Sequence, residues 1–262
     1  MRERLASAMR LIWGVCYPLL IYSFICMGTA AVMEAAGFAP YGEAAVVQTA
    51  IAALIAAVPL GLLYRRDRRE EPQTRHWKPQ AGIWTALAGI GSCFFVNNLI
   101  NLTGLTSKAY EEVSELLYRP PLAIQIAAVG FLIPVTEELV FRGLGYLRMR
   151  RKLSFFRAAM FSAIYFGWYH GNIVQGLYAG CLGFLLAGVY EAYRSLWASI
   201  CFHMAANLGS VLYTELVPDT VKLRIPLLPL LLISGAVMIF GLHQIREDVK
   251  KREVTVSCDS LL

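Results

Sequence analysis

Seven stretches of this chain run for 17 to 33 residues without one Asp, Glu, Lys or Arg: 11–33, 44–64, 79–107, 120–136, 158–190, 195–214 and 225–245. A helix needs about 20 apolar residues to cross a bilayer, and in lipid only helices or closed barrels satisfy the backbone. The runs are evenly apolar, whereas barrel strands would alternate. Six runs fit one span each. The run 158–190 is too long for one, and the turn-type pair Gly171-Asn172 divides it into two short spans. The fold expected is therefore all-α: a polytopic membrane bundle of about eight transmembrane helices, making one integral membrane domain over 1–262. Charged residues are only 16% of the chain and hydrophobic residues 57%, where a soluble domain is about a quarter charged. That balance excludes disorder and a disulfide-stapled secreted fold.

The net charge of +6 is informative once located. With a cytoplasmic N-terminus, the pieces 1–10, 65–78, 142–157, 191–194 and 246–262 hold 20 of the 24 Lys and Arg, and the outer pieces hold 4. This split follows the positive-inside rule and puts both termini in the cytoplasm. The basic cluster 65–69 reads as a topology determinant that meets anionic headgroups, so the lipid bilayer is an expected partner and nucleic acid is not. The N-terminal arginines imitate a signal peptide, but 23 uncharged residues follow with no clean cleavage site, which reads as a retained helix. None of the six cysteines, Cys258 included, forms a C-x-x-C pair, and they read as small packing residues. His76 and His243 fall in or beside hydrophilic pieces and need no role.

A charge at mid-bilayer costs about 2.5–3.5 kcal/mol on insertion scales, so intramembrane ionisable residues are candidates for function. They cluster in the second half: Glu137 and Glu138, then His170, then His203 with Asn207. Glu138 and Arg142 are i,i+4 in the orientation that favours an ion pair, whereas Glu137 lies about 140° from Arg142 around the axis. The paired carboxylate is thus structural and the unpaired one is free. Pro134 should loosen the helix one turn before Glu137. Phe166 and His170 share a face, as do His203 and Asn207. At about 1.5 Å per residue, Glu137, His203 and His170 sit roughly 18, 12 and 22 Å deep. Convergence therefore requires tilt, or a fifth span that begins below the interface.

A carboxylate and an imidazole around one water form a base able to activate it against a carbonyl. A second imidazole with an amide supplies donors to an oxyanion. Glu137, His170 and His203 also form a His₂Glu set of the kind that holds catalytic zinc, although no H-E-x-x-H is present. Asn97, Asn98 and Asn101 are expected to hydrogen-bond between helices, and Gly176 with Gly180 to let two helices pack closely.

At these residues the chain resembles the CPBP (ABI, or CAAX-type) intramembrane endopeptidases. Their pattern of E-E-x-x-x-R, F-x-x-x-H and H-x-x-x-N/D reads here as Glu137-Glu138 to Arg142, Phe166 to His170 and His203 to Asn207. The resemblance covers roughly 116–210 as a catalytic core. It leaves 1–115 as spans of unassigned role and 211–262 as a last span and tail. It implies an enzyme of the cell membrane that hydrolyses membrane-associated peptides or proteins. Glu137 and His170 would activate the water, and His203 and Asn207 would hold the oxyanion. Glu138, Arg142 and Phe166 would be supporting. It also implies a metal-free, glutamate-dependent mechanism with no cofactor, zinc being the alternative. The competing function is a non-catalytic membrane protein of the bacteriocin self-immunity type that uses the same cavity to bind.

Overall fold

The computed structural model describes residues 2–38, 43–69 and 77–259, without the side chains of Glu43 and 253–259. His76 and the Cys258 side chain lie outside the described residues. No strand occurs among the described residues. The helices longer than one turn are α1 (Arg2–Ala35), α2 (Glu43–Arg69), α3 (Gly82–Leu102), α4 (Lys108–Tyr118), α5 (Leu122–Arg150), α6 (Phe155–Tyr169), α7 (Ile173–Tyr193), α8 (Leu196–Leu216) and α9 (Leu227–Asp259).

Seven of these are long and apolar enough to cross a membrane: all except α4 and α6. Of the two short spans expected within 158–190, α7 is long enough to cross a membrane and α6 is the shorter. Its 15 residues reach only about 22 Å, short of a hydrocarbon core about 30 Å thick. The division of the long run is where the sequence places it. Gly171 adopts φ +73°, and the Asn172 side chain caps α7 by accepting the Gln175 N–H at 2.9 Å. Between the apolar runs 79–107 and 120–136, Lys108–Tyr118 folds as α4. Ser107 caps it, its hydroxyl accepting the Tyr110 N–H.

The polarity of the bundle is inverted relative to a soluble protein. Phe24, Val58, Ile164, Trp168 and Trp197 are exposed on the perimeter, whereas Gln125, Glu137, Glu138, Arg142, Ser199 and His203 are buried. A lipid-facing surface requires that arrangement, because hydrocarbon cannot solvate polar groups. The molecule is a multi-pass integral membrane protein.

α5 is the span most enclosed by the others, with more than half of its apolar window buried. Around it, α6 packs on α7, and α3 packs on both α8 and α9. Small residues set these distances. A Cβ added at Gly167 would come within 2.5 Å of the Gly176 carbonyl, and one at Gly89 within 2.3 Å of the Phe202 carbonyl. Among the described residues, Asn97, Asn98 and Asn101 form no side-chain hydrogen bond to another helix. Asn97 donates to Cys93 Sγ of its own helix, and the buried Asn98 amide nitrogen has no partner among the described residues. Close backbone approach at glycine, rather than amide cross-links, holds this helix to its neighbours.

α5 is not a plain α-helix. Ile126–Leu132 and Leu139–Tyr146 are π-helical, with α-helical turns at Ile133–Glu138 between them. The first π stretch ends at Leu132, two residues before Pro134, so the loosening expected of that proline takes the form of a widened helix just upstream of it. A π register uses more residues per turn and advances less along the axis. Glu137 is therefore shallower than a count at α-helical rise places it, which shortens its distance in depth from His203.

Candidate active site

Three elements supply the polar residues: α5 gives Glu137, Glu138 and Arg142, α8 gives His203 and Asn207, and the end of α6 gives Phe166 and His170. The two glutamates are adjacent in sequence and stand in opposite circumstances. Glu138 is fully enclosed, and its Oε1 accepts from Arg142 Nη1 at 2.7 Å and from His203 Nδ1 at 2.9 Å. Arg142, also fully buried, lies over the Phe166 ring at 4.3 Å from the centroid, which shields the cation with an aromatic face. Glu137 is 7% exposed and forms no hydrogen bond with any described residue. His203 Nε2 stands 3.7 Å from Glu137 Oε2, beyond hydrogen-bond length.

These contacts assign the imidazole protons. A carboxylate accepts only, so His203 Nδ1 carries the hydrogen it gives to Glu138. His170 Nδ1 lies 2.8 Å from the Phe166 carbonyl, which also accepts only. In the neutral ring this leaves Nε2 of His170 as a lone pair. The Phe166 ring meets His170 edge-on at 4.8 Å and His203 at 5.7 Å. The structure thus joins Glu137, Glu138, Arg142 and His203 directly, and brings in His170 through the Phe166 ring. His170 has no hydrogen bond or ion pair with Glu137. Among the described residues, no three His, Cys, Asp or Glu side chains gather closely enough to hold a metal ion. Glu137, His170 and His203 therefore do not form a ligand set in this arrangement.

Asn207 points elsewhere than into a free cavity. In the π stretch, the Ile133 N–H reaches back to the Ala128 carbonyl. The same register would pair the Val129 carbonyl with residue 134, which is Pro134 and has no N–H. Asn207 Nδ2 donates to this stranded carbonyl at 2.9 Å. Asn207→Ala is expected to destabilise the protein by about 1–3 kcal/mol, the cost of a buried unpaired acceptor. Pro134→Ala restores an N–H, so in that background Asn207→Ala should cost clearly less. Thermal unfolding of the four proteins in micelles measures the coupling. Additivity within about 0.5 kcal/mol would show that the two residues are not linked.

Sequence reading missed two tyrosines. Tyr22 of α1 is 1% exposed, and its ring lies 6.4 Å from that of Tyr169. Both are within electrostatic reach of Glu137. Tyr169 adjoins His170 and was within reach of inspection. Nothing in the evenly apolar run of α1 marks Tyr22.

Residues 119–209 match the family of type II CAAX prenyl endopeptidase Rce1-like proteins. The chain is also similar to the Bacillus subtilis (strain 168) protein named "Putative membrane peptidase YdiL". The two are 25% identical over 127 residues, covering 48% of this chain and 51% of that protein. The chain thus spans about half the length of the curated relative it matches. No solved structure matches it.

Proposed function

We propose that the chain is a CAAX-type membrane endopeptidase that hydrolyses peptide bonds of membrane-associated peptides or proteins, with Glu137 as the base, a reading supported by the family match over residues 119–209. The observation that carries this reading is the contrast between the glutamates. Glu138 is closed off by Arg142 and His203, while Glu137 keeps accessible surface and an unpaired carboxylate.

A water set between Glu137 Oε2 and His203 Nε2 touches both at ordinary hydrogen-bond lengths, since those atoms are 3.7 Å apart. Glu137 takes a proton as the water oxygen bonds to the peptide carbonyl carbon. The tetrahedral oxyanion then forms beside the imidazoles. The proton passes from Glu137 to the amide nitrogen, the C–N bond breaks, and a carboxylic acid and an amine leave. The free Nε2 of His170 suits a second acceptor to the water. As the imidazolium, with Nδ1–H on Glu138 and a second hydrogen on Nε2, His203 serves in this scheme with Asn207 as a donor to the oxyanion. For Asn207 that role requires its amide to leave the Val129 carbonyl as substrate binds. Glu138, Arg142 and Phe166 are positioning residues that hold His203 in one tautomer and orientation.

Hydrolysis in this scheme needs no metal. Purified protein in micelles is expected to cleave membrane-derived peptides, read by mass spectrometry, at an unchanged rate after chelation. If chelation abolishes cleavage and one equivalent of zinc restores it, the metal-free mechanism is wrong while the protease assignment stands.

A further inference from the structure

Away from the candidate active site, a concavity of about 320 Å³ lies between α7 and α9. Phe184, Leu185 and Val189 line it from α7, and Leu242 and Ile245 from α9. Gly188 also lines it, and a Cβ built there meets nothing within 4 Å. Elsewhere in the bundle glycine admits a neighbouring backbone, but here it keeps a groove open towards lipid. The groove is polar at one end only. Beyond Ile245, Arg246 and Lys250 follow one turn apart on the same lining face. Arg246 is exposed and has no hydrogen bond or ion pair with a described residue. Lys250 is 54% exposed and meets only Glu247 at 2.7 Å, a surface pair weak enough to yield to a stronger anion. Tyr193 at the close of α7 donates to Asp248 of α9 at 3.1 Å, so this end lies level with the point where the chain leaves the span through Arg194. It therefore sits at headgroup depth.

We propose that the groove holds one acyl chain of an anionic phospholipid whose phosphate rests on Arg246 and Lys250. The match is one of charge and shape together. The apolar floor fits hydrocarbon, and two cations close the end where a headgroup lies. A zwitterionic lipid brings its own cation to the same place and loses most of that attraction. The site is separate from the glutamates, so it does not depend on the protease reading.

Native mass spectrometry of protein purified in mild detergent and mixed with phosphatidylglycerol or phosphatidylcholine tests it. Wild-type protein is expected to retain one phosphatidylglycerol in about tenfold preference. Arg246→Ala with Lys250→Ala should bring that preference to within about twofold. Gly188→Leu, whose Cβ meets nothing within 4 Å and whose side chain would occupy the floor, should lose both lipids, with the midpoint of thermal unfolding in lipid-free micelles unchanged. Equal retention of the two lipids by wild-type protein would overturn the proposal. So would undiminished retention by Gly188→Leu, or a co-purifying peptide in place of lipid. The charge variant is independent of the filling variant, so a folding defect in one leaves the other decisive.

Discussion

Purified Glu137→Gln protein is expected to fold like wild type and to cleave about 10²–10⁴-fold more slowly, the usual contribution of a positioned general base. The amide keeps the shape of the side chain and removes the proton acceptor. Folding should survive because Glu137 makes no hydrogen bond that the substitution would break. An unpaired carboxylate inside a bundle is unfavourable, so its loss is neutral or stabilising. The measurement is kcat for a peptide cleaved by wild-type protein, with thermal unfolding in the same micelles. Retained cleavage by the folded variant sinks the catalytic assignment. The same variant separates enzyme from binder. An immunity-type protein that only holds a peptide should bind it equally well with Gln at 137, and wild-type protein should then release no product.

The two glutamates show how far sequence reaches and where it stops. Helical periodicity separated Glu138 from Glu137 through the spacing to Arg142, and the ion pair at 2.7 Å has that partner. This succeeded because an i,i+4 relation is local. The break of the long apolar run was legible for the same reason, since Gly171 and Asn172 carry their own backbone preferences. The relations that failed were not local. Counting residues at α-helical rise put Glu137 and His203 about 6 Å apart in depth, and that count carried no information on whether their side chains meet, which they do at 3.7 Å. The π register of α5 responsible for part of this depends on packing against neighbours, and only Pro134 hinted at it. The partners of Asn207 and Tyr22 were invisible because each is chosen by a different helix. That the run 158–190 yields short helices was legible from its length and from Gly171-Asn172, but not that α6, with 15 residues, would be the shorter of the two.

The larger stability effect belongs to the other glutamate. Glu138→Gln should lower stability by about 3–5 kcal/mol, because it leaves Arg142 charged and unpaired in a fully enclosed place. For a chain of this size that corresponds to a fall of about 10 °C in the unfolding midpoint. Adding Arg142→Met removes the stranded cation and fills the space over the Phe166 ring, so the double variant should regain most of the lost stability. Its activity should not return with it. His203 Nδ1 would face a neutral amide instead of an anion, leaving the imidazole less firmly fixed in the tautomer that turns Nε2 towards Glu137. Stability recovered without activity marks Glu138 as a positioning residue acting through His203. Recovery of both would reduce the Glu138–Arg142 pair to a structural strut, and the tautomer argument for His203 would fall with it.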